Sequence, residues 1–117
     1  MTWYLTLRSD EQHARSTPSG PLVALLAGWS ELRQTGPQAF EGAPGSPWVH
    51  VILAFGQGGD YAVTGALLPE INVVELICSD DADQRWYDAL AIRIATFLAW
   101  EAVEEAAGRR VWSPGAA

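Results

Sequence analysis

Apolar and polar positions alternate at the start of the chain, where Trp3, Leu5 and Leu7 are separated by Tyr4, Thr6 and Arg8. That period of two predicts a first strand with one face buried. The polar segment SDEQHARSTPSG ends in turn formers and reads as a loop that leaves His13 in solvent, and Pro21 at a first-turn position opens a short helix near 21–28. Leu22, Leu25, Leu26 and Trp29 share one side of that helix, and Gly28 ends it. ELRQTG and QAFEG follow as extended, edge-like pieces divided by Pro37. WVHVILAFG is apolar and β-branched and predicts a central strand with both faces largely covered. After the QGGD turn, YAVTGALL is expected to pair antiparallel with it, and INVVELICS is a further strong strand.

The period then changes. Tyr87, Leu90, Ala91, Ile94 and Leu98 recur at three and four, which predicts the main helix near 82–98, lying on a sheet. The segment LAWEAVEEAAGRRVW fits either a helical continuation or a hairpin over 100–112. The hairpin is preferred because Glu104 and Glu105 would then face Arg109 and Arg110 across a turn in which Gly108 supplies a positive φ. No repeat, linker or low-complexity block interrupts the chain. The expected architecture is a single α+β domain over 1–117, with one antiparallel-rich sheet of about 5–6 strands covered by two helices.

Composition sharpens this picture. A chain of 117 residues, 49% apolar and 18% charged, can bury a sizeable core without covalent staples. Seven basic against fourteen acidic side chains give a net charge of -7, which disfavours nucleic acid and anionic membrane and favours a basic partner. Cys78 is the single cysteine, so neither an internal disulfide framework nor a multi-cysteine zinc site is available. The first residues lack the pattern of a secretory signal, and the longest apolar run, 22–27, is too short to span a bilayer. A cytoplasmic location is expected.

The densest chemistry is in CSDDADQRWY, which holds a thiol, a hydroxyl and three carboxylates. Short oxygen-bearing side chains satisfy the free N–H groups of a helix start, and Ser79, Asp80 or Asp81 can each serve. Asp81 with Gln84 has the spacing of a capping box. A calcium loop would need alternating oxygen ligands and a glycine turn, and Gln84 and Arg85 break that pattern. Cys78 ends an apolar strand beside carboxylates that oppose a thiolate, so an inert buried thiol is expected. His50 shares a side with Trp48, Ile52 and Ala54 and reads as a structural residue. Were its strand a neighbour of the Ile71 strand, His50 and Cys78 would be candidates for a dyad. GQGGD lacks the Lys-Ser/Thr of a phosphate loop, and no catalytic motif is found. No cofactor or metal is expected. Trp86 falls off the main helix's stripe, on the side of Arg93; the sheet, first helix or hairpin is expected to cover it, the alternative being an interface anchor.

The stretch over residues 71–112 carries a family resemblance: an ELICS strand running through acids into Trp86-Tyr87, an Ala/Ile/Leu-rich helix, and a closing WEAVEE with Gly108 and Arg109. It resembles the C-terminal half of small acidic immunity proteins of bacterial polymorphic-toxin systems. That resemblance implies a cytoplasmic, non-enzymatic protein that neutralises a cognate toxin by binding it. An acidic exterior fits the same role, because attraction for a cationic toxin speeds capture and desolvated carboxylate pairs slow release. The expected contacts are Asp80, Asp81, Asp83, Glu101, Glu104 and Glu105, with Trp86 as anchor, in a monomer or homodimer. Two other readings remain open: a small enzyme or ligand-binding domain using His50 and Cys78, and a homo-oligomeric scaffold.

Overall fold

The computed structural model describes residues 1–57, 60–61 and 68–115. Along the chain run β1 (Thr2–Arg8), β2 (Thr17–Pro18), α1 (Ser19–Ala27), β3 (Leu32–Gly36), β4 (Ala39–Gly42) and β5 (Val49–Ala54). Then come β6 (Gly56–Gln57), β7 (Asp60–Tyr61), β8 (Glu70–Ile71), β9 (Val73–Ser79), α2 (Gln84–Leu98), β10 (Glu101–Glu104), a single 3-10 turn (Glu105–Ala107) and β11 (Arg109–Trp112). Among the described residues, no helix is long and apolar enough to cross a membrane.

Seven strands make one antiparallel sheet in the order β11-β10-β1-β9-β5-β4-β3. That exceeds the 5–6 expected, because the edge pieces around Pro37 and both arms of the C-terminal hairpin join the same sheet. The expected YAVTGALL strand falls largely outside the described residues; Tyr61 is placed opposite Gly56 in the small β6-β7 pair, and Leu68 lies outside any strand. α2 carries the chain from β9 across β1 to β10, so the middle of the sheet is assembled from residues distant in sequence.

Alternation decides what faces the helices. Leu5 and Leu7 of β1, Val74, Leu76 and Cys78 of β9, and Val49, Val51 and Leu53 of β5 are all buried, in one cluster with Leu22 and Leu26 of α1 and Leu90 and Ile94 of α2. Both helices therefore lie on the same face. Among the described residues the other face carries no helix, which corrects the expectation that β5 is largely covered on both sides: His50 and Ile52 are only half-buried. Arg93 of α2 reaches to the residues after α1, with its guanidinium 3.9 Å from the centre of the Trp29 ring and 3.1 Å from Glu31. That contact couples the helices.

α2 stops where the sequence offers no glycine. Ala99 takes a left-handed conformation (φ 57, ψ 40), while Trp100 N–H donates to the Ala95 carbonyl at 3.1 Å and Ala99 N–H to the Thr96 carbonyl at 3.4 Å. This is a Schellman arrangement, and burial of Trp100 against the core offsets the strain of a side chain in that conformation. The hairpin expected over 100–112 is present, and Gly108 has the required positive φ of 63.

One loop departs from its expectation. His13 is 7% exposed rather than solvated, its φ is 53, and among the described residues neither ring nitrogen has a partner. The loop folds inward because Asn72, buried at the break between β8 and β9, binds several backbones at once. Its amide donates to the His13 carbonyl at 3.4 Å and the Gly56 carbonyl at 2.6 Å, and its oxygen accepts from Gly56 N–H at 2.9 Å.

Candidate functional site

The β9–α2 junction is built as a helix cap. Asp83 occupies the cap in an extended conformation, and its Oδ1 accepts from Arg85 N–H at 2.9 Å. This corrects the expectation that Ser79, Asp80 or Asp81 would cap, with Asp81 and Gln84 forming a box: the helix starts two residues further on. The Arg85 guanidinium also pairs with Asp83 at 2.9 Å, and these bonds hold the Asp83 carboxyl below its usual range. Ser79 instead accepts from Asp81 N–H at 3.1 Å, a turn that leaves the Asp80 and Asp81 side chains in solvent.

Next to these carboxylates lies a shallow, largely apolar hollow of about 510 Å³, lined by Pro47, Trp48, Ser79, Asp81 and Ala82 together with the first two residues. Trp48 is 49% exposed. Its backbone is fixed from below, because the Tyr87 hydroxyl donates to the Trp48 carbonyl and accepts from Ser79 N–H. Trp86 is half-buried against the core and meets the Tyr87 ring edge-on at 5.4 Å, so it supports this corner from the helix side. The cover expected for Trp86 is only partial, and the better exposed tryptophan is Trp48. Its position between Pro47 and the first residue of β5 was the signal available in the sequence.

The remaining acidic candidates lie at the other end of β1. Thr2 pairs with Ser79 whereas Arg8 pairs with Glu101, so the two groups are separated by about 20 Å of strand. Glu101 is 8% exposed and bonds the Arg8 side chain at 2.8 Å and Arg110 at 3.5 Å. Glu104 pairs with Arg109 at 2.9 Å, and Arg109 also forks onto Asp88 at 2.9 and 3.1 Å, tying β11 to α2. Glu105 faces Arg8 at 3.5 Å. Arg8, Glu104, Glu105, Arg109 and Arg110 line a cleft of about 430 Å³ in which carboxylates and guanidiniums compensate one another. All seven basic residues are arginines, and six of them are engaged in such pairs. The carboxylates without an arginine partner among the described residues lie on several segments, with Asp80 and Asp81 among the exposed ones.

The candidate dyad is not formed. β5 and β9 are neighbours, but Val49 is opposite Cys78 and His50 is opposite Ile77, so the imidazole points to the bare face and the thiol to the core. His50 pairs with Glu41 at 3.2 Å. Cys78 is fully buried, and burial, reinforced by Asp88, Glu104 and Glu75, pushes its thiol up to about 12. Such a thiol has no thiolate to offer as nucleophile or ligand at neutral pH. Among the described residues, no three His, Cys, Asp or Glu side chains are grouped to hold a metal ion.

The bare face carries residues that the sequence reading passed over. One row across the strands runs Tyr4, Ile77, His50, Glu41, Arg33; the next runs Val103, Thr6, Glu75, Ile52, Ala39. Tyr4 is 49% exposed. Glu75 accepts from the Thr6 hydroxyl at 2.9 Å, and burial raises its carboxyl from 4.5 to about 7 despite that bond, with Glu105 adding to the rise. A single charge inside the apolar run VVELICS was the signal for it. Comparison with protein-family models, curated protein sequences and solved structures gives no match to this chain.

Proposed function

We propose that this protein is a non-enzymatic inhibitor of the immunity type, which binds a cognate basic bacterial toxin and occludes its active site. The observation that carries the reading is the corner where Trp48 stands half-exposed over an apolar hollow beside the exposed carboxylates Asp80 and Asp81, of which Asp80 lies 3.9 Å from the N-terminal ammonium and neither is paired with an arginine among the described residues. A rigid aromatic flanked by acidic groups suits a cationic protein surface: the ring supplies apolar contact and the carboxylates supply attraction and charge-assisted hydrogen bonds. The net charge of -7 supports the same partner chemistry. Asp83 and Trp86 belong to this corner, as the cap and the aromatic support. Glu101, Glu104 and Glu105 contribute through the long-range field, since nearby guanidiniums already hold their carboxylates. A cytoplasmic location accords with the free thiol of Cys78.

The test is co-expression with the products of the adjacent genes, followed by association kinetics with any basic protein captured. A complex is expected whose on-rate falls steeply with ionic strength, and Asp80→Asn with Asp81→Asn should slow capture at low salt while matching the wild type at high salt. Absence of a complex, or a salt-independent on-rate that the double variant leaves unchanged, would count against the reading.

A further inference from the structure

The sheet face that carries no helix among the described residues is unlike a solvated one, since Thr6 on it is 6% exposed. Its central row places Glu75 between Thr6 and Ile52, with Val103 buried at 6% one strand further, and Ile77 follows on the same strand. A carboxylate in such surroundings is normally matched by a cation, because an unpaired buried charge opposes folding. Here the Thr6 hydroxyl is its hydrogen-bond donor among the described residues. The cations on the same face are committed elsewhere: Arg8 to Glu101 and Glu105, Arg33 to Glu41, and Arg110 to Glu101. His50 is held by Glu41. Tyr4, half-exposed two residues from Thr6 on the same side of β1, and the Trp48–His50 ring pair, 4.9 Å between centroids, stand beside this row. The face therefore offers one unmatched carboxylate with flat aromatic surfaces beside it, the features that recognise a planar guanidinium better than a compact ammonium.

We propose that Glu75 is the receptor for an arginine side chain of the protein partner, which lies across the bare sheet face with its guanidinium on the Glu75 carboxylate and against Tyr4. This rests on the reading that the partner is a basic protein, and it extends the docking surface from the Trp48 corner onto the middle of the sheet. A second copy of this chain is a poorer occupant, because it would bring another net charge of -7 onto the same face.

The test is an amide-resolved NMR titration of the whole chain with N-acetyl-argininamide at pH 8, where Glu75 is ionised. N-acetyl-lysinamide and N-acetyl-glutaminamide serve as comparison probes. Saturable shifts are expected at Thr6, Glu75 and Ile77, weaker with the lysine analogue and absent with the glutamine one. Glu75→Gln, which keeps the shape and the acceptor for Thr6, should weaken binding by about tenfold or more, the equivalent of one charge-assisted hydrogen bond. No saturable shift, shifts confined to residues 80–83, or an affinity indifferent to Glu75→Gln would overturn the proposal. The outcomes separate it from the inhibitor reading. A basic protein captured equally by wild type and Glu75→Gln defeats this inference alone, whereas analogue binding at Glu75 without any complex in the co-expression test defeats only the inhibitor reading.

Discussion

The Tyr87 hydroxyl on α2 donates to the backbone carbonyl of Trp48 at the start of β5, and the same oxygen accepts the N–H of Ser79 at the end of β9. One side chain of the helix thus ties two neighbouring strands under the exposed Trp48 ring. Tyr87 is fully buried, with Trp3 and Trp86 both edge-on to it at 5.5 and 5.4 Å.

Tyr87→Phe keeps the aromatic packing and removes both hydrogen bonds. The carbonyl and N–H left behind cannot both be rehydrated beneath the helix. Denaturant unfolding is expected to register a loss of about 1–3 kcal/mol. A loss no larger than that of an exposed substitution would mean that the bond is decorative.

Glu75 makes stability depend on pH near neutrality. Its folded value of about 7 lies above the unfolded 4.5, so the folded state holds the proton more tightly. The associated stability is complete below 4.5 and is lost as pH rises through about 7. Glu75→Gln should therefore change little at pH 5 and raise stability at pH 8 by at most about 3 kcal/mol. Equal effects at both pH values would contradict the placement of the carboxyl.

Cys78 should resist thiol reagents in the native protein. Its thiol is buried and pushed up to about 12, so labelling by a disulfide reagent requires unfolding. The labelling rate at pH 8 should follow denaturant concentration as global unfolding does. Rapid native labelling would disprove burial.

Ala99→Gly addresses the end of α2. The left-handed conformation costs alanine more than glycine, and the gain is partly offset by the greater freedom of glycine in the unfolded chain. A net stabilisation of about 0.5–1 kcal/mol is expected in thermal or denaturant melts. Destabilisation would place the helix end elsewhere.

Glu101→Gln and Glu105→Gln should separate two carboxylates that sequence alone treats alike. Glu101 and Arg8 have side chains 11% and 12% exposed, so removing the carboxylate charge leaves a poorly solvated guanidinium without its main counter-charge and should cost about 1–3 kcal/mol, moderated by Glu105. Glu105 is 53% exposed, and its replacement should cost under about 1 kcal/mol. Equal losses would undo the distinction.

What the sequence determined by itself was whatever a few consecutive residues control. The alternation of Leu5 with Thr6 and Leu7, the stripe from Tyr87 to Ile94, and Gly108 between the arms of the hairpin each specify a local geometry and the side that turns inward. Tertiary structure decided the rest, because it joins residues far apart in the chain. Arg8 and Glu101 are 93 positions apart, and that distant guanidinium turns a predicted surface charge into an internal one. Pairing of β5 with β9 brings His50 and Cys78 onto adjacent strands yet puts them on opposite faces, since Val49 is the residue opposite Cys78. Asn72 draws His13 inward, and burial of Trp100 ends α2 at an alanine. The bare face bearing Glu75 exists because both helices pack on the other side, a choice that the period of no single strand encodes.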